Sequence, residues 1–103
     1  MKMIRVMILY PRMDGKKFDK EYYKNSHIPF LKERLQPESA EIELGIAAMG
    51  MESPYLAVTH LTFKSLQHLA GKYFFNMHDL TEDQDKFTNI KPVYQVGEIE
   101  EAK

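Results

Sequence analysis

The sequence predicts an α+β fold in which two helices cover one face of a four-stranded antiparallel sheet. Three observations carry the expectation. Four apolar stretches of strand character are bounded by turn residues. Two other stretches repeat their apolar residues at helical spacing. Their order along 103 residues is β-α-β-β-α-β.

The first strand is expected over Met3–Tyr10, apolar apart from Arg5, and is stopped by Pro11 and the pair Asp14–Gly15. Asp19 then caps a helix, with Phe18 before the cap and Tyr23 four residues after it, the spacing of a hydrophobic staple. This helix runs to about Leu35, where the stretch from Gln36 to Ser39 breaks it. Ile42, Leu44 and Ile46 alternate with Glu41, Glu43 and Gly45, which reads as a strand with one wet face or edge. After a loop, Tyr55–Phe63 forms the third strand, and Ser65 caps a second helix whose stripe is Leu66, Leu69, Ala70, Tyr73 and Met77. His78 and Asp79 end that helix. Thr81 and Gln84 have the spacing of a capping box and predict a separate helical turn before Phe87. Val93–Ile99 is the fourth strand. The order is that of the split, ferredoxin-like unit.

Residues 1–103 are read as one domain, because 44% apolar and 28% charged residues over this length suit one core. Lysine and arginine number 14 against 15 for aspartate and glutamate, which argues against nucleic acid as a partner. The absence of cysteine excludes disulfide and thiolate chemistry. The apolar stretch in MKMIRVMILYPR is interrupted by Arg5 and too short to span a bilayer, and no small-residue cleavage site follows. A soluble cytoplasmic protein without a membrane partner is expected.

Two helices cover only one sheet face, yet both sides of the inner strands are apolar. Ile4, Val6, Ile8 and Tyr10 oppose Met3, Met7 and Leu9; Leu56, Val58, His60 and Thr62 oppose Ala57, Thr59, Leu61 and Phe63. Apolar burial is worth roughly 25 cal/mol per Å², so an open apolar face calls for a cover. A homodimer with two sheets face to face is expected; long loops folded over a monomer are the alternative.

The segment EYYKNSHIPFL (Glu21–Leu31) is anomalous. Tyr23, His27, Phe30 and Leu31 share one side of the helix, while Pro29 lacks an N–H and clashes with the carbonyl of Asn25. A kink is predicted there. His27 is then either a core histidine bonded to a carbonyl or to Tyr22 or Tyr23, or the polar group of a pocket. His60 stands beside Leu56, Val58 and Thr62 as a satisfied sheet histidine or, if it faces the same pocket as His27, a second proton carrier. His68 lies off its helix's apolar stripe. No metal-ligand spacing, glycine-rich phosphate loop or nucleophile elbow is present, so neither a metal nor a cofactor is expected. Seven methionines and twelve aromatic residues suit a soft apolar ligand, though methionine also fills cores.

These stretches resemble the EthD family of the dimeric α+β barrel superfamily. LYP (Leu9–Pro11) followed by FDKEYYKNSHIPFL is similar to that family's Leu-Tyr-Pro, Phe-Asp, Tyr-Tyr and His-x-Pro-Leu. PYLAVTHLTFKSL (Pro54–Leu66) and DKFTNIKPVYQVGEI (Asp85–Ile99) are similar to its third strand and closing segment, so the resemblance spans nearly the whole chain. Phe30 departs from a common leucine and Phe87 from a common tyrosine, and the Met49–Pro54 loop is short. The resemblance implies a homodimer of paired sheets with a pocket in each subunit between sheet and helices. It implies less about chemistry. The family is named for a protein needed in fuel-ether degradation by a cytochrome P450 system, and the wider superfamily includes cofactor-free monooxygenases, isomerases and cyclases, and haem-handling enzymes.

Two readings follow. In the first, a cofactor-free enzyme uses His27 as acid or base, assisted by His60, with Tyr10, Tyr22, Tyr23, Pro29, Phe30 and Phe87 shaping a site for a small apolar or aromatic molecule. In the second, the same pocket belongs to a binding or auxiliary protein of a degradation pathway. Haem binding has no distinctive motif here.

Overall fold

The computed structural model describes residues 2–102. Along the chain they form β1 (Ile4–Pro11), α1 (Lys20–Tyr22), a π-helical turn (Tyr23–His27), α2 (Ile28–Leu35), β2 (Ser39–Leu44), β3 (Tyr55–Phe63), α3 (Leu66–Asp85) and β4 (Val93–Glu98). The sheet order is β2-β3-β1-β4, and every neighbouring pair is antiparallel. The fold is a ferredoxin-like α+β fold, as the element order predicts.

Strand register decides which side chains share a face. Val6 pairs with Leu61 and Val96, Ile8 with Thr59 and Tyr94, and Tyr10 with Ala57. These residues lie under the helices, and the core gathers Ile4, Val6, Ile8 and Tyr10 with Leu61, Phe63, Leu31 and Leu35. The other face carries Met7 opposite His60 and Leu9 opposite Val58, with Glu41, Glu43 and Gln95 toward its edges.

Both predicted caps form. The Asp19 carboxylate accepts from the Tyr22 N–H at 3.1 Å, and Phe18 packs on Tyr23 with ring centroids 5.3 Å apart. The Ser65 hydroxyl accepts from the His68 N–H. Proline 29 produces a π-helical turn just before it rather than a sharp kink: the Ile28 N–H reaches back to the Tyr23 carbonyl, and Pro29 falls in the first positions of α2, where a missing N–H costs nothing. Gln36, in the left-handed conformation, closes α2.

β1 is Ile4–Pro11 rather than Met3–Tyr10, and three further boundaries differ from expectation. β2 stops at Leu44 and Ile46 is exposed, although the Gly45 N–H still donates to the Leu56 carbonyl and the backbone there passes so close to β3 that a Cβ would clash with the Tyr55 carbonyl oxygen. β4 ends at Glu98 rather than Ile99. α3 does not end at His78 and Asp79 but continues to Asp85, so Thr81 and Gln84 are interior helical residues and no separate capped turn exists. Nothing between His78 and Thr81 interrupts the backbone ladder, and a cap competes only where N–H groups lack partners.

Candidate functional site

The continuation of α3 brings a carboxylate to His27. Asp83 lies at the last turn of α3, 56 residues from His27 in sequence, and accepts a hydrogen bond from His27 Nδ1 at 2.8 Å. Its other oxygen accepts from the Tyr22 hydroxyl at 2.8 Å, and Lys86 Nζ lies 3.6 Å away. The chain is stitched to hold this geometry. The Asp19 N–H donates to the Phe87 carbonyl, the Thr88 hydroxyl to the Lys17 carbonyl, and the Lys17 N–H to Asn89. The ends of the two helical segments are thereby locked together. Arg34, near the end of α2, ties it to the middle of α3 through Asp79, at 2.6 Å, and Asn76.

His27 is 3% exposed, and its ring lies 4.6 Å from that of Phe87. Burial pushes the imidazole below its ordinary value of 6.5, with Asp83 opposing that shift. For Asp83, burial alone would raise the carboxyl, but the hydrogen bonds from His27 and Tyr22 outweigh it and hold the group below its ordinary value. At neutral pH the pair is therefore a carboxylate facing a neutral imidazole. Because a carboxylate only accepts, the imidazole proton is on Nδ1 and Nε2 keeps its lone pair.

His27 lines a small recess of about 20 Å³ beneath α3, together with Ile8, Thr81, Gln84, Tyr73 and Tyr94. A larger groove of about 390 Å³ adjoins it between α3 and β4, sharing Tyr73 and Tyr94. A lone pair on an oriented imidazole can accept a proton, and a neighbouring carboxylate stabilises the imidazolium that would form.

The remaining candidates fall into separate places. Tyr22 holds Asp83. Tyr10 is fully buried and donates to Gln84 Oε1 at 3.0 Å. Tyr23 is fully buried against Thr59, with oxygens 2.6 Å apart, and burial pushes its phenol up to about 12 while Thr59 opposes. Phe87 is a core ring touching Tyr10, Phe18, Tyr23 and His27. Pro29 is exposed, and Phe30 lies on the outer side beneath the Arg34 guanidinium, 4.7 Å from it. His60 lies on the opposite face of the sheet, bonded to Glu43 at 3.0 Å, so within one chain it shares no pocket with His27. Asp83 is not among the residues the sequence singles out, and Gln84 is read there only as part of a capping box. The available signal was the spacing Leu80, Asp83, Phe87, an acid on the buried stripe of a helix.

Acid should expose the pair. An unfolded histidine takes its proton near 6.5, whereas folded His27 resists until lower pH, so stability is lost as pH falls below about 6.5. Asp83 adds loss in the same direction at lower pH, because its folded carboxyl titrates below its unfolded value. Melting temperatures followed from pH 7.5 down to pH 5 should drop more steeply for the wild type than for His27→Gln. Parallel curves would show that His27 is not the group responsible.

Among the described residues, no three histidine, cysteine or acidic side chains are grouped to hold a metal ion. No helix among them is long and apolar enough to cross a membrane.

The chain combines an antiparallel ferredoxin-like sheet with a histidine–aspartate pair between its helices. Among solved structures, an EthD-like protein from Ralstonia eutropha superposes with a TM-score of 0.87 at 28% identity, covering 94% of this chain and 91% of its own. An ethyl tert-butyl ether D (EthD) family protein from Bacillus halodurans gives 0.77 at 17% identity over 95% and 99% of the two chains. A protein from Arabidopsis thaliana shares the fold at 0.62 and 12% identity, over 98% and 96%. No protein-family model and no curated protein matches the sequence. The chain is thus similar in fold to both proteins, and in sequence to the EthD-like protein from Ralstonia eutropha.

Proposed function

We propose that this chain is a single-domain, cytoplasmic, cofactor-free acid–base enzyme acting on a small apolar or aromatic molecule, with His27 as the base and Asp83 holding its tautomer. The observation that carries the reading is the 2.8 Å Nδ1–Oδ2 bond of a buried histidine that also lines a recess opening beside an apolar groove. A core histidine would need no carboxylate partner reaching it from another helix. Tyr22 steadies Asp83, and Phe87 backs the imidazole ring.

The working form is a homodimer joined through the uncovered sheet face, where Met7, Leu9, Leu56 and Val58 form the apolar centre. His60, paired with Glu43, then belongs to that interface rather than to the base.

The second reading, a non-catalytic binding protein, is favoured by the size of the recess: about 20 Å³ admits one small group and no ring. Binding and turnover separate the two. Isothermal titration of small phenols and aryl ketones should give binding that weakens tenfold or more in His27→Gln with melting nearly unchanged, the scale of one lost hydrogen bond. Conversion or proton exchange of a bound compound supports the enzyme. Binding without either, or equal affinity in the variant, removes His27 as the base.

A further inference from the structure

We infer that Gln84 is the hydrogen-bond donor of the His27 site and that the two residues select an uncharged, enolisable carbonyl compound whose apolar body lies in the groove between α3 and β4. The inference rests on His27 being the base, and three observations take it further.

The first is orientation. Tyr10 is fully buried, and burial, reinforced by neighbouring phenols, pushes it well above the ordinary phenol range, so it remains a donor. Its hydroxyl donates to Gln84 Oε1 at 3.0 Å. The carboxamide oxygen is thereby taken up, and the NH2 group is left to donate. Gln84 and His27 line the same recess, one offering N–H and the other a nitrogen lone pair.

The second is size. A recess of about 20 Å³ is close to the space one water needs, so it accepts one oxygen and excludes a ring. The third is the character of the adjoining space. The groove of about 390 Å³ lies within the range of small-molecule sites, and its walls include Val6, Leu69, Ala70, Phe74 and Val96. Tyr73 and Tyr94 line both spaces, and no charged side chain lines either. A charged ligand body would lose its hydration there without a partner.

Together these fit abstraction of a proton from the carbon next to a carbonyl. His27 Nε2 takes the proton, and the C–H electron pair becomes the carbon–carbon double bond of an enolate. The carbonyl π pair moves onto oxygen, where the Gln84 N–H meets the developing charge. The proton held by His27 returns to carbon or to oxygen, so no oxidant or reductant is consumed.

The test uses 2-tetralone, which enolises, and 2-naphthol, which has the shape of its enol. Deuterium uptake by 2-tetralone in D2O, followed by NMR above the buffer background, should be accelerated by the wild type and not by His27→Gln. Gln84→Met should lower kcat by about 100-fold, the effect of losing one oxyanion donor, with its melting temperature checked separately. Tyr10→Phe, which only frees the amide, should lower kcat by less and leave KM in place. Ala70→Trp, far from the dyad, should weaken 2-naphthol binding tenfold or more by filling the groove. Full exchange in Gln84→Met with none in His27→Gln would remove the donor and leave the base standing. Exchange that survives His27→Gln would overturn both. Unchanged 2-naphthol affinity in Ala70→Trp, or no exchange of bound 2-tetralone by the wild type, would overturn the substrate assignment.

Discussion

Phe87→Ala is expected to lower the free energy of unfolding by about 3–5 kcal/mol. The ring is fully buried just beyond α3 and stands within aromatic contact of Tyr10, Phe18, Tyr22, Tyr23 and His27. Its neighbours are themselves tied down, Tyr10 to Gln84, Tyr23 to Thr59 and His27 to Asp83, so they are poorly able to collapse into the space left behind. A cavity that stays open carries the larger penalty. Urea denaturation measures the loss directly. A loss below about 1 kcal/mol would mean that the cluster repacks and that Phe87 does not fix the imidazole ring.

Val58→Asp is the second large expected effect. Val58 is 8% exposed on the sheet face away from the helices, opposite Leu9 on β1 and Glu43 on β2. If a second sheet packs there, the carboxylate is buried without a cation, beside Glu43, and about 3–5 kcal/mol of association and folding energy is lost. Light scattering at micromolar concentration should read a dimer for the wild type and a monomer or an unfolded chain for the variant. A wild type that stays monomeric would leave this face uncovered and end the two-sheet arrangement.

The strands were legible because alternation of apolar and polar residues has a period of two and β1 and β3 lie inside the sheet; β3 spans the expected residues. The caps at Asp19 and Ser65 were legible because their chemistry is local. The relation between His27 and His60 was not. Alternation shows that His60 goes with Val58, but which side the helices cover depends on pairings such as Tyr10 with Ala57, which are long-range. Asp83 was hidden for a similar reason. Ending the second helix at His78 removed Asp83 and Gln84 from the apolar stripe, so an acid and an amide of the candidate site read as part of a capped turn. Pro29 announced a disturbance without its form, because a kink and a wider turn both relieve the same clash.

The wider turn has a consequence for how this segment tolerates change in length. Residues 23, 27, 31 and 35 are all buried, at intervals of four, and four residues overshoot one α-helical turn by about 40°. A regular helix would therefore carry this row steadily off the sheet. The π turn needs more than four residues to close, so the step from Tyr23 to His27 runs the other way and resets the row. The segment thus contains one residue more than its path requires, and that residue acts as a frame setter. Removing one of Lys24, Asn25 or Ser26 would let the segment close as an ordinary α-helix along nearly the same path, turning Tyr22 only slightly relative to His27, because the π turn already absorbs the extra residue. In this part of the chain the π turn takes up one residue and leaves the phenol and the imidazole facing the carboxylate they share.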